Sequence, residues 1–324
     1  MLVEIGIGTF DNDAYKSYLM VIDTASSTIW IQCEDCRKPP EGHCFPQKED
    51  PFPNSKSKSY IPSEPSSSYS EQYADGSYSI GLNAKETFTF PSTSSSSSRL
   101  KFPNIDFGCG TNNNIPKAKD TKLPMAGILG MGAGKGSFIN QIVKQFGGKF
   151  SYCFVRSDME SPPPMYLRFG TNIKPLRSSK TIKLLKDSGS FYAVTMVDIG
   201  VNGKKLHLNE AQMFGPNTKF RGLVIDSGGE LTHISKGAYD VVVKELDKYF
   251  SKYKREFKKE SSRSALCYSR IKGANGYNNI PGVTFYFEGG AQLDIIPEGT
   301  FHSLGEKIVP KMADYNLFLY MNDQ

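Results

Sequence analysis

The chain has no apolar run near the roughly 20 residues that a helix needs to cross a bilayer, so it offers no membrane span. It has no Asn-x-Ser/Thr acceptor, and N-glycosylation therefore lends no support to a secreted product. Its opening, Met1-Leu2-Val3-Glu4-Ile5-Gly6-Ile7-Gly8, alternates like a strand and lacks the charged start and long apolar stretch of a secretory leader. The expectation is either a cytosolic chain or a product whose precursor segment is not in the sequence.

What is present points to β structure. A length of 324 residues suggests two domains at roughly 150 residues each, enough to bury a sizeable core. Thirty Gly and nineteen Pro, with abundant Ser, Tyr, Phe and Thr, suit short strands and many turns, so the class is all-β. Six cysteines, at 33, 36, 44, 109, 153 and 267, lean toward an oxidising compartment, but spacing leaves their pairing open. Cys33-x-x-Cys36 with His43 and Cys44 also has the composition of a zinc site.

The net charge of +6 is unevenly spread, concentrating at Lys244, Lys248, Lys252, Lys254, Arg255, Lys258 and Lys259. Tyr239, Val242, Val243, Leu246, Phe250 and Tyr253 recur there at helical spacing behind a well-placed N-cap, Ser235. This reads as an amphipathic helix with a solvated basic face. It lacks the clustered aromatics and Gly loops of a nucleic-acid surface, so neither nucleic acid nor membrane is expected as a partner.

Along the chain, strand-like alternation over the first 32 residues gives way to a Cys/Pro-rich loop. Ser57 to Ser70 and Ser92 to Ser98 read as poorly ordered hydroxyl-rich loops. Between them, Gln72-Tyr73-Ala74-Asp75-Gly76-Ser77-Tyr78-Ser79-Ile80 centres an Asp-Gly turn, a strong hairpin signal. A short helix is expected after Ser137, with Phe138, Ile142, Val143 and Phe146 on one face. Ser161-Pro162-Pro163-Pro164 breaks the pattern, which sets domains at 1–158 and 165–324 about a linker at 159–164.

The chemistry-bearing feature is a duplication. Val21-Ile22-Asp23-Thr24-Ala25-Ser26 and Val224-Ile225-Asp226-Ser227-Gly228-Gly229 each set an Asp after an apolar pair and before a hydroxyl, roughly 200 positions apart. Two carboxylates brought together cannot both ionise cheaply; they share a proton and titrate as a unit. One can then activate a water while the other stabilises the product of its attack.

With Ile5-Gly6-Ile7-Gly8-Thr9, Trp30, Gln32-Cys33, Tyr73-Ala74-Asp75-Gly76-Ser77, Phe107-Gly108-Cys109-Gly110, Ile128-Leu129-Gly130, Phe150-Ser151-Tyr152-Cys153 and Gly289-Gly290-Ala291, the sequence resembles the pepsin-like aspartic endopeptidases of the plant nepenthesin type. The resemblance covers about residues 3 to 301. It implies a bilobed acid-protease fold, two duplicated β lobes with a few short helices and the active cleft between them. It implies an endopeptidase working at acidic pH on a protein or peptide substrate, as a monomer, with no metal or cofactor, and disulfide-closed loops near Cys33.

Position by position, the resemblance makes Asp23 and Asp226 the catalytic pair, with Thr24, Ser26, Ser227 and Gly228 supporting it. Tyr73, Asp75 and Gly76 become the flap that closes on substrate, Trp30 the donor to Tyr73, and Ile128-Leu129-Gly130 the loop bracing Asp23. An extracellular or vacuolar location also follows from the resemblance. The sequence departs from the family at Ala25, where Gly is usual, at Gly229, where a hydroxyl is expected, and after Phe301, where no second bracing loop is visible. These departures keep an alternative open, a catalytically impaired homologue acting as a binding or inhibitor protein.

Overall fold

Alternation at the N-terminus becomes paired strands. β1 (Leu2–Ile7) runs antiparallel to β2 (Lys16–Asp23), with Val3 opposite Met20 and Ile5 opposite Tyr18. In β2 the inward residues Tyr18, Met20 and Ile22 are buried while Lys16 and Ser17 stay exposed, the period-two pattern of a strand with one face on a core. The computed structural model describes residues 2–38, 42–64, 66–91, 99–118, 122–153, 166–170, 173, 179–186, 188–215, 222–229, 231–253, 257–260, 266–270, 276–304 and 307–314. The Ser92–Ser98 tract and the linker expected at 159–164 lie outside them.

The chain divides into two compact units. The first is Met1–Leu176 with two later segments, Ser188–Tyr192 and Ile225–Gly228. Its eight-stranded sheet adds β3 (Trp30–Gln32), β4 (Ile61–Pro62), β5 (Ser68–Gln72), β6 (Tyr78–Pro91), β7 (Arg99–Asn114) and β8 (Met125–Gly130). The order is β1-β2-β8-β3-β7-β6-β4, with β5 on β6, and β1 pairs also with β6, so the path returns on itself. β8 lies parallel to β2 and β3 parallel to β7. Edge-to-face aromatics fill the interior: Phe52 meets Phe10, Tyr18 and Phe107.

Disulfides settle the zinc alternative. Cys33 joins Cys109, whose strand neighbour is Ile31, and Cys36 joins Cys44, so all three cysteines of that motif are oxidised. The Ser57 to Ser70 segment is ordered in large part, contrary to the expectation from its composition. Ser57 Oγ accepts from Thr9 N at 3.0 Å, and Ser59 donates to the buried Glu86, so hydroxyls that would solvate a loop instead hold it to the sheet. The helix expected after Ser137 is two single turns, Phe138–Gln141 and Val143–Phe146, broken at Ile142. Phe138 and Ile142 are buried but Val143 is exposed, since at about 3.6 residues per turn it stands more than a quarter-turn round from Ile142.

The second unit is Arg177–Asp187, Ala193–Val224 and Gly229–Gln324. Met196–Val201 and Val283–Phe287 pair antiparallel at its centre, flanked by Lys204–Lys205 and Gln292–Ile295. The basic helix spans Lys236–Phe250; Ser235 caps it by accepting from Ala238 N, and Ala238, Val242, Leu246 and Phe250 are buried, four to a stripe. The segment after Phe301 forms strands at Phe301–Leu304, Lys307–Pro310 and Met312–Asp314. The last runs parallel to Thr232–Ile234. A largely β molecule with few helices agrees with the all-β reading.

Candidate active site

Asp23 is the last residue of β2, opposite Gly130 of β8. The chain must turn sharply there, and backbone bonds from the loop after β8 hold the turn: Met131 N donates to Asp23 O at 2.7 Å and Gly132 N to Ser26 O at 2.8 Å. Gly130 cannot carry a side chain, since a Cβ would sit 2.5 Å from Thr28 O. The Ile128-Leu129-Gly130 segment thus lies against the loop that begins at Asp23.

Ile225–Gly228 packs within the same unit, and its bonds to Ile22–Thr24 are reciprocal. Thr24 Oγ1 donates to Ile225 O at 2.7 Å and accepts from Ser227 N at 2.9 Å; Ser227 Oγ donates to Ile22 O at 2.8 Å and accepts from Thr24 N at 3.2 Å. Each hydroxyl thereby satisfies backbone groups of the other segment, which fixes their separation. The carboxylates are oriented in matching ways: Ala25 N donates to Asp23 Oδ1 and Gly228 N to Asp226 Oδ1, both at 2.8 Å.

A Cβ added to Gly228 would lie 2.8 Å from Asp23 Oδ1 and 3.2 Å from Asp226 Oδ1. One methyl would touch both carboxylates, which places the two acids around a shared space. Their settings differ. Asp23 is 6% exposed and also accepts from Ser26 Oγ at 2.5 Å, whereas Asp226 is exposed. Burial pushes the Asp23 carboxyl above its ordinary value and the Asp226 charge adds to this, against the pull of the Ser26 and Ala25 bonds.

The hairpin between β5 and β6 is confirmed with a longer tip. The strands end at the Gln72–Tyr78 pair, leaving a five-residue loop. Tyr73 N donates to Ser77 O and Gly76 N to Tyr73 O, Asp75 Oδ1 accepts from Ser77 N at 2.9 Å, and Gly76 takes φ of 80°, a conformation that favours glycine. Asp75 therefore shapes the turn. The Tyr73 hydroxyl accepts from Trp30 Nε1 at 2.8 Å, and Tyr73 packs in a cluster with Trp30, Phe45 and Ile128. Burial pushes its phenol up, while Trp30 and Ser26 pull the other way, so Ser26 lies between Tyr73 and Asp23.

All ten residues singled out from the sequence thus lie in one unit: Asp23, Thr24, Ser26, Trp30, Tyr73, Asp75, Gly76, Asp226, Ser227 and Gly228. Two neighbours were not foreseen. Tyr152, half-buried on the strand Phe150–Cys153, interacts with Thr24. Glu71 in β5 accepts from the Thr28 hydroxyl. Alternation along Ser68–Gln72 would have put Glu71 on the face of Tyr73, which was the available signal. Among the described residues, no three His, Cys, Asp or Glu side chains gather as a metal would require.

Comparison with known proteins is consistent with this geometry. The family described as xylanase inhibitor N-terminal matches residues 2–71 and 62–171, and that described as xylanase inhibitor C-terminal matches 191–309. An aspartyl protease family protein of Arabidopsis thaliana is 30% identical over 93% of this chain and 62% of its own length. Aspartic proteinase nepenthesin-2 of Nepenthes gracilis is 28% identical over 89% of this chain and 64% of its own. Nepenthesin-1 of the same plant is 30% identical over 93% of this chain and 67% of its own. The chain thus spans less than two thirds of the length of the first two relatives.

Proposed function

This chain belongs to the pepsin-like aspartic protease family, and on that premise we propose that it is an aspartic endopeptidase, hydrolysing peptide bonds in proteins at acidic pH with a water activated between Asp23 and Asp226. The observation that carries the reading is the single point at Gly228 within touch of both carboxylates, held by reciprocal hydroxyl bonds. Burial favours the shared proton on Asp23, leaving the exposed Asp226 as base. Asp226 takes a proton from the water as its oxygen attacks the peptide carbonyl carbon, and Asp23 gives its proton to the carbonyl oxygen. The gem-diol then collapses as Asp226 gives its proton to the amide nitrogen, the C–N bond breaks, and Asp23 takes back a proton from one diol hydroxyl, which becomes the carbonyl of the new carboxyl group. Tyr73, positioned by Trp30, covers the reacting bond.

The two disulfides support an oxidising compartment, extracellular or vacuolar. A second reading, an impaired homologue acting as a binding or inhibitor protein, draws on Ala25 and on the inhibitor descriptions of the matching families. The test is peptide release from an unfolded protein at acidic pH by the wild type, Asp23→Asn and Asp226→Asn. Loss of about 1000-fold in each variant is expected. Equal release by all three overturns the enzyme; binding of protein without release by the wild type supports the second reading.

A further inference from the structure

Glu71 is a carboxylate that the proposed chemistry leaves unused. Along β5, exposed Ser68, Ser70 and Gln72 alternate with half-buried Tyr69 and Glu71. Tyr69 packs into the cluster of Trp30 and Tyr73, so Glu71 points to the inward side of the hairpin, beside Tyr73. One of its oxygens accepts from Thr28, in the loop that begins at Asp23. That bond ties the carboxylate of the hairpin to the loop that leads away from Asp23, beside the Tyr73 that the proposed function sets over the substrate.

Among the described residues no cation pairs with Glu71, and Thr28 is its one hydrogen-bond partner. The hydroxyl occupies Oε1 and leaves Oε2 open to a further donor, and the Glu71 charge helps to push up the Tyr69 and Tyr73 phenols. Asp75 is no substitute, since it stands exposed at the tip with Oδ1 engaged by Ser77 N.

We propose that Glu71 sets substrate preference by accepting the ammonium or guanidinium of a Lys or Arg side chain in the bound peptide. The inference rests on the endopeptidase reading. A hydrogen-bonded ion pair at a half-buried carboxylate gives discrimination of about tenfold over a neutral side chain. The experiment uses one peptide varied as Lys, Gln or Glu at each position flanking the scissile bond. It compares kcat/KM for wild type, Glu71→Gln and Glu71→Lys at mildly acidic pH. A parallel arm measures the Kd of the same series with the scissile bond reduced to an uncleavable amine.

At one position the wild type should prefer Lys over Gln about tenfold, Glu71→Gln should bring that ratio to about one, and Glu71→Lys should favour Glu. An unchanged ratio in Glu71→Gln, or no Lys preference at any position, overturns the proposal. The uncleavable series separates the two readings. Lys-selective binding that depends on Glu71, without cleavage, refutes the protease and keeps the Glu71 site; cleavage without selectivity does the reverse. Failure to bind any peptide of the series overturns both.

Discussion

Asp23 closes an eight-residue strand with a partner on each side, whereas the strand before Asp226 is two residues long and pairs, among the described residues, with Ala193–Val194 alone. Asp23 is buried and accepts from a backbone amide and from Ser26; Asp226 is exposed, and Gly229 stands where a second hydroxyl would be. The same short motif therefore produces one acid buried at the end of a long strand and another that is exposed behind a short one, with the hydroxyl exchange between Thr24 and Ser227 tying the two segments together. Duplicated sequence secures the backbone turn in both copies, while the strands behind it decide how rigidly the carboxylate is held.

The most disruptive way to break this comparison is Gly228→Ala. Its methyl would fall on both carboxylates, and displacement by a fraction of an ångström at reacting groups should cost about 100-fold in kcat/KM for a protein substrate. A full rate would show that the acids move apart freely.

The converse substitution, Ala25→Gly, comes next. The matched 2.8 Å bonds of Ala25 N and Gly228 N make the two positions correspond, so the Ala25 methyl is expected to crowd the pair of acids as a Cβ on Gly228 would. Removing the methyl should raise kcat up to about tenfold, and a fall in kcat with unchanged KM would contradict the account.

The smallest effect concerns stability. The folded-state value of Asp23 lies above the unfolded one, so protonation favours the fold; that contribution is complete below the unfolded value and is lost as pH rises through the folded value. At neutral pH the buried charge is a burden. Asp23→Asn should therefore raise the thermal midpoint by about 2–4 °C at neutral pH, with the gain vanishing on acidification, whereas Asp226→Asn, at an exposed position, should change it less. Calorimetry across the acidic to neutral range checks the sign.

Much of this was legible in the sequence because the patterns are long or doubly marked. The helix at Lys236–Phe250 carries four turns of apolar periodicity and a Ser cap, and both hold. The hairpin announces itself through Asp75-Gly76, although its tip is longer than that pair alone suggests. Family resemblance supplied the Trp30–Tyr73 bond, which no local pattern encodes. The Cys33–Cys109 bridge could not be read, because it depends on β3 lying parallel to β7, a pairing between distant segments. The single helix expected after Ser137 failed where one residue, Ile142, leaves helical geometry while keeping its buried place. Glu71 was overlooked since an acidic residue in a polar strand looks solvated until its tether to Thr28 is seen.

The bond between Thr24 and Ser227 spans 203 residues. Every contact that sets the spacing of the two acids must therefore wait for the second segment to leave the ribosome, long after the sheet around Asp23 has its strands. During synthesis the chain therefore carries one half of the site with no counterpart, and on the endopeptidase reading any cleavage has to await the residues made last.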